Sequence, residues 1–238
     1  MPQKLVIIPT YNEIDNIEKV IRNIFSQPVS FDILVVDDSS PDLTWELVQQ
    51  LQPEFENRLH IEIRAEKSGL GKAYIHGFKW ALKQDYDYIF EMDADFSHNP
   101  NDLIRLYNAC HKSNYDLCIG SRYITGVNVI NWPMKRVILS WLASKYVKLI
   151  TRMPVEDTTA GFICYKRRVL EEINLNTIKF VGYAFQIEMK FKAYKKGFRL
   201  KEIPVIFTDR TKGKSKMSSG IIKEAIFGVI SFKLKSLF

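Results

Sequence analysis

DYIFEMDADFSHNP, residues 87–100, runs from an apolar stretch straight into two carboxylates one residue apart. The apolar part, DYIFEM (87–92), predicts a buried strand. If the backbone turns at Ala94, Asp93 and Asp95 can both reach one hard cation, with Ser97 as a third contact, direct or through water. Mg²⁺ and Mn²⁺ favour such oxygen ligands and keep positions open for substrate phosphates. The competing reading is an acidic turn after a strand, where Asp is common in any case. No second histidine lies near His98 in sequence, so His98 reads as a loop residue rather than a metal ligand.

Outward from this stretch the chain alternates. KLVIIP (4–9) predicts a strand and residues 14–25 a helix, with Ile14, Ile17, Val20, Ile21 and Ile24 at helical spacing. DILVV (32–36) is a strand, 43–51 a helix, HIEIR (60–64) a strand and 72–83 a helix. After the 87–92 strand come a helix over 101–112 and the strand DLCIG (116–120). Such alternation predicts an α/β fold with a mostly parallel sheet and helices on both faces. Sheets of this kind bind ligands beyond the carboxyl ends of their strands. Four strand ends here are polar or acidic: Pro9-Thr10-Tyr11-Asn12-Glu13, Asp37 to Asp42, Asp93-Ala94-Asp95 and Ser121-Arg122. They describe one site.

The second half is less regular. Residues 133–150 and 220–238 are apolar with interspersed cations, which fits amphipathic helices lying in a bilayer interface or, equally, helices packed on the sheet. Between them fall a short strand (162–165), a helix near 183–196 and a strand near 198–206. With no repeat or linker, 1–238 reads as a single domain. Asp38 can accept hydrogen bonds from a base or ribose, or cap the next helix, a task that suits Asp42 better. EKSGLGKA (66–73) is not a Walker A loop and reads first as a tight turn. The cations Arg122, Arg136, Arg210 and Lys216 stand out, the last two bracketing a Gly213-bearing loop that can close over phosphates or simply be exposed.

The chain has 238 residues, 46% hydrophobic, and a net charge of +7 that is unevenly spread. Residues 190–238 carry 13 Lys/Arg against three acidic side chains, whereas 1–189 carry 21 against 24. A basic C-terminal end suggests a polyanion. Nucleic acid is the poor choice, because the acidic strand ends repel it. Cys110, Cys118 and Cys164 form no CxxC pair, so a reducing cytosol is expected. The strand-like start leaves no room for a secretory signal. No stretch approaches the about 18 apolar residues that cross a bilayer.

Taken in order, VIIPTYNE (6–13), VVDDSSPD (35–42), GLGKA (69–73), MDADFSHNP (92–100), GSRY (120–123), NWPMKR (131–136), DTTAGF (157–162), GYAFQIEM (182–189) and DRTKGKSK (209–216) resemble the family-2 glycosyltransferases. Within them the likeness is to the dolichol-phosphate (polyprenol-phosphate) mannose synthases. The resemblance implies a GT-A fold, GDP-mannose as donor, a polyprenyl phosphate as acceptor and a divalent metal. It divides the domain into a nucleotide-sugar half (about 1–122) and an acceptor half (about 123–238). It implies guanosine contacts from Pro9, Tyr11, Glu13, Val36 and Asp38, and diphosphate and metal contacts from Asp93, Ala94 and Asp95. Arg122, Arg136, Arg210 and Lys216 become the binders of donor and acceptor phosphates. Some family members carry Gln where this chain has Ser97, a weaker ligand. The expected place is peripheral, on the cytoplasmic face of a membrane, with a partner subunit left open. Another nucleotide-sugar such as UDP-glucose, another acceptor, or a nucleotidyltransferase on the same sheet are the alternatives.

Overall fold

The computed structural model describes residues 2–209 and 228–229. Its strands are β1 (Lys4–Thr10), β2 (Asp32–Asp37), β3 (Leu59–Ile63), β4 (Tyr88–Glu91), β5 (Leu117–Ser121), β6 (Val129–Ile130), β7 (Ile163–Lys166), β8 (Leu200–Pro204) and β9 (Phe207–Thr208). Its α-helices are α1 (Ile17–Phe25), α2 (Thr44–Leu51), α3 (Leu70–Ala81), α4 (Asp102–His111), α5 (Met134–Thr151), α6 (Arg167–Glu172) and α7 (Tyr183–Lys195). Arg210, Lys216 and, but for residues 228–229, the expected 220–238 helix lie outside the described residues.

Seven strands form one sheet in the order β3-β2-β1-β4-β7-β5-β8, and β6 pairs with β9 apart from it. Neighbours are parallel except where β7 meets β4 and β5. Strand alternation sends Leu5 and Ile7 of β1 to one face and Val6 and Ile8 to the other, all fully buried. Tyr74 and Phe78 of α3 and Phe185 of α7 cover the first face. Residues of α1, α2 and α4 cover the second. The expected doubly covered, mostly parallel sheet is what forms.

One element departs from expectation, and another runs against the sheet's prevailing direction. The first helix starts at Ile17 rather than 14, because the Glu13 carbonyl accepts from Asn16 and Ile17 while the Ile14 N–H turns to Asp42. The reversed direction of β7 also has a local cause. Arg122, just past the carboxyl end of β5, is held to Asp157, so the segment leading into β7 starts from that same edge of the sheet. No crossover helix has returned the chain to the other edge, and β7 must run back down.

Candidate active site

The loop after β4 is built by its own side chains. Phe96 takes a left-handed conformation (φ 59°), and the Ser97 N–H donates to Asp95 Oδ1 at 3.0 Å. The backbone bends from Ala94 through His98, with the left-handed residue at Phe96, and the Ala94 methyl is buried in the core. An aspartate accepting from the N–H two residues on is a self-contained turn. His98 holds the other end: its Nδ1 accepts from the Asp93 N–H at 3.1 Å, and its ring stacks on Phe162 with centroids 4.8 Å apart. Burial lowers the His98 pKa, and an accepting Nδ1 requires the neutral tautomer. It is a loop residue, as its sequence surroundings suggest.

Asp93, Asp95 and Ser97 line one end of a cavity of about 390 Å³. The Ser97 hydroxyl is buried and has no hydrogen-bond partner, an unusual state for such a group. No cluster of three or more His, Cys, Asp or Glu suited to a metal occurs among the described residues. What the loop presents is two half-buried carboxylates and one orphaned hydroxyl. That donor set fits a hard cation that keeps most of its positions for water and phosphate.

Arg122 and Arg136 line the same cavity, with Trp132 between them; their guanidinium carbons lie 5.3 and 4.0 Å from its ring centroid. Sequence alone shows both arginines as candidate phosphate binders and hides their partners. Arg122 meets the fully buried Asp157 through Nε and Nη2, both at 2.6 Å, and through its backbone N–H. Burial alone would raise the Asp157 carboxyl, yet the charge and hydrogen bonds of Arg122 hold it below the usual carboxylate range. Arg136 reaches Asp209 at 2.9 Å. Much of the remaining wall is apolar, with Leu139, Leu142, Ala143 and Tyr146 of α5, Leu70 of α3 and Ile187 of α7, and Ser140, Thr159 and Gln186 add polar groups to it.

The loops after β1 and β2 lock together. Asn12 N–H donates to Ser40, Glu13 N–H to Thr44, and the buried Asp37 accepts from Thr10 and Ser40 hydroxyls at 2.6 and 2.7 Å. Asp38 is gripped by Arg64 through two bonds of 2.7 and 3.0 Å, and Lys67 lies 3.9 Å above the Tyr11 ring. Asp42 accepts from the Thr44 N–H at the start of α2, in keeping with its expected capping role. Pro9 lies within β1, beside Val36 in register. Val36 as a whole is 0% exposed and packs in the core, so it does not face open space. The glycines of GLGKA serve packing. A Cβ on Gly71 would come within 2.8 Å of Phe180 O and Phe185 Cγ, and one on Gly69 (φ +104°) within 3.0 Å of Val181.

Several charged residues that sequence reasoning passed over are buried beneath the cavity: Glu91, Asp157, Lys190 and Glu202. Glu91 accepts from Tyr165 at 2.7 Å and from Gln186; burial pushes it up to about 7. The available signal was a lone charge inside an otherwise apolar run, as Glu91 is in YIFEM (88–92).

Residues 5–174 match the family model described as Glycosyl transferase family 2. The chain is 43% identical to the polyprenol monophosphomannose synthase of Mycolicibacterium smegmatis, over 97% of this chain and 87% of that protein. It is 41% identical to the undecaprenyl-phosphate mannosyltransferase of Micrococcus luteus, over 97% and 93% respectively. Among solved structures, glucosyl-3-phosphoglycerate synthase from Mycobacterium tuberculosis, in complex with Mn²⁺, UDP and glucosyl-3-phosphoglycerate, superposes with a TM-score of 0.68. It is 15% identical, over 99% of this chain and 80% of that one. S. aureus TarS 1-349 with UDP-GlcNAc gives 0.68 at 19% identity, over 99% and 66%. The fold is thus the GT-A type.

Proposed function

Because the chain belongs to glycosyl transferase family 2 and is a glycosyltransferase, we propose that it moves mannose from GDP-mannose to a polyprenyl phosphate, with inversion, giving polyprenyl-phosphate mannose. One observation carries this reading. A single cavity joins a carboxylate pair, two arginines and an apolar wall, matching a sugar nucleotide, a phosphate and a lipid chain in turn. The names of the two relatives support the lipid phosphate and the mannose.

The chemistry asks little of a base. A phosphate oxygen is already anionic at neutral pH, so it can attack the anomeric carbon without losing a proton first. The new C–O bond forms as the bond to the nucleotide breaks, and the electron pair leaves on the nucleoside diphosphate. Arg122 and Arg136 offset the repulsion between two polyanions and align the attack, helped by Arg210 and Lys216. Asp93, Asp95 and Ser97 would hold Mg²⁺ or Mn²⁺, which when bound supplies neutralising charge for the departing diphosphate. The Mn²⁺ in the mycobacterial fold neighbour supports that assignment. Pro9, Tyr11, Glu13 and Asp38 hold the guanosine at the other strand ends, and Val36, buried between β1 and β3, backs them from within the sheet.

The exposed apolar residues of α5 support contact with a membrane surface. Met134, Ile138, Trp141, Leu142 and Leu149 are all more than 40% exposed on a helix that also carries Lys135, Lys145 and Lys148. No helix among the described residues is long and apolar enough to cross a membrane. An interfacial helix fits both facts, and it would lay the cavity's apolar wall beside the acceptor's bilayer. The chain then works peripherally, on the cytoplasmic face.

Crossing GDP-mannose, UDP-glucose and UDP-GlcNAc with several polyprenyl phosphates tests the reading. Lipid-linked mannose should dominate. Transfer from a UDP-sugar alone would keep the chemistry and replace the donor, and transfer only to water-soluble acceptors would remove the lipid.

A further inference from the structure

A fully buried ammonium lies beneath the cation wall. Lys190, on α7, is 0% exposed, and its three N–H donors meet three carbonyls: Thr158 at 3.1 Å, Ala160 at 2.6 Å and Gln186 at 3.1 Å. Burying an ammonium is costly, and a packing role alone would be met by Met or Leu at the same place. Two of the three acceptors belong to the segment between α5 and β7, some 30 residues away in sequence. That segment, 156–161, has no helix or strand of its own. It is gripped from the other side by Glu202 of β8, whose carboxylate accepts from the N–H groups of Glu156 and Asp157, both at 2.8 Å. A carboxylate on the N–H groups and an ammonium on the carbonyls together fix an irregular backbone.

What that backbone carries is the anchor of Arg122. Asp157 takes the Arg122 guanidinium through two oxygens, and Thr159 Oγ1 accepts from Nη2 at 2.9 Å. Thr159, Ala160 and Gly161 also line the cavity themselves. We infer that Lys190 is a positioning residue for sugar transfer: it fixes the 156–161 segment and, through Asp157, the direction in which Arg122 faces the anionic substrates. Burial brings the Lys190 pKa down to about 8, against the pull of Glu91 and Asp157, so the ammonium stays mostly charged at neutral pH and all three bonds persist. The kinetic consequence rests on the transfer reading; the link from Lys190 to Arg122 does not.

Two readouts on the full chain test this. In ¹⁵N-labelled protein the Arg122 Nε–H, identified by its absence from Arg122→Lys, should exchange slowly. In Lys190→Met it should exchange at least about tenfold faster while β1 amides keep their protection. Misdirecting a substrate-facing group should also lower kcat about 10- to 100-fold while the Kd for GDP stays within about twofold. Lys190→Arg keeps the charge beside Glu91 but cannot aim three N–H groups at three converging carbonyls. It should fall between wild type and Lys190→Met, and it decides the matter if the methionine variant does not fold. Wild-type Nε–H protection in a folded variant would overturn the inference, as would losses that merely follow a general loss of β1 protection. Should the wild-type chain transfer no sugar, the transfer reading fails, and the Nε–H exchange still decides whether Lys190 holds Arg122.

Discussion

Helices α1 and α5 are both rich in apolar residues and dispose them in opposite ways. In α1, Ile17, Val20, Ile21 and Ile24 recur at helical spacing, and all four are fully buried against the sheet. In α5 the buried positions are Ser144, Val147 and Thr151, while Met134, Ile138 and Leu149 stand 70, 51 and 77% exposed. One helix uses its apolar stripe to close the core. The other turns its apolar groups outward and toward the cavity, which marks a surface meant for something other than the sheet. The cavity repeats the contrast, with Asp93, Asp95 and Ser97 at the sheet end and Leu139, Leu142 and Tyr146 at the α5 end. On the function proposed above, chemistry belongs to the sheet side and lipid to the helix side.

Substitutions on the two sides should therefore fail in different ways. The largest effect is expected at the sheet end. Asp95→Ala should lower kcat by about a hundred- to a thousand-fold with an unchanged melting temperature, measured by steady-state transfer and thermal unfolding. Near-wild-type turnover would place the chemistry elsewhere. Next, Ile21→Ala in α1 should cost about 2–5 kcal/mol in urea unfolding. Leu149→Ala in α5 should stay within about 0.5 kcal/mol. Equal losses would mean that both stripes complete the core, and the contrast would be gone. The smallest effect belongs to the outer face of α5. Ile138→Glu combined with Leu149→Glu touches no residue lining the cavity, so transfer in detergent should stay within about twofold. Sedimentation with anionic vesicles should fall about tenfold, from the lost apolar insertion. Undiminished vesicle binding would take the membrane contact away from α5.

Much of this was legible in the sequence because it is local. A strand that alternates or runs apolar, then breaks into Asp, declares both its own burial and the edge where ligands collect. The order of the sheet was not legible in that way. The insertion of β7 between β4 and β5 depends on pairings such as Ile89 with Tyr165, which no local pattern encodes. Helix α6, RRVLEE, buries only Val169 and Leu170, too short an apolar pattern to declare a helix. Composition is equally blind to whether a charge is buried. Asp157, Lys190 and Glu202 look like surface residues until the fold brings their partners from distant segments. The glycines of 69–73 were ambiguous for a related reason. Their close neighbours, Phe180, Val181 and Phe185, lie more than a hundred residues away.

On the function proposed above, the carboxylate loop after β4 and the apolar-walled cavity form one metal-assisted transfer site. Wild-type protein, radiolabelled GDP-mannose and a polyprenyl phosphate, assayed with EDTA and again after adding Mg²⁺ or Mn²⁺ in excess, test it most directly. Labelled mannose should appear in the lipid fraction, vanish with the chelator and return with either metal. Transfer that persists in EDTA would contradict the role given to Asp93 and Asp95.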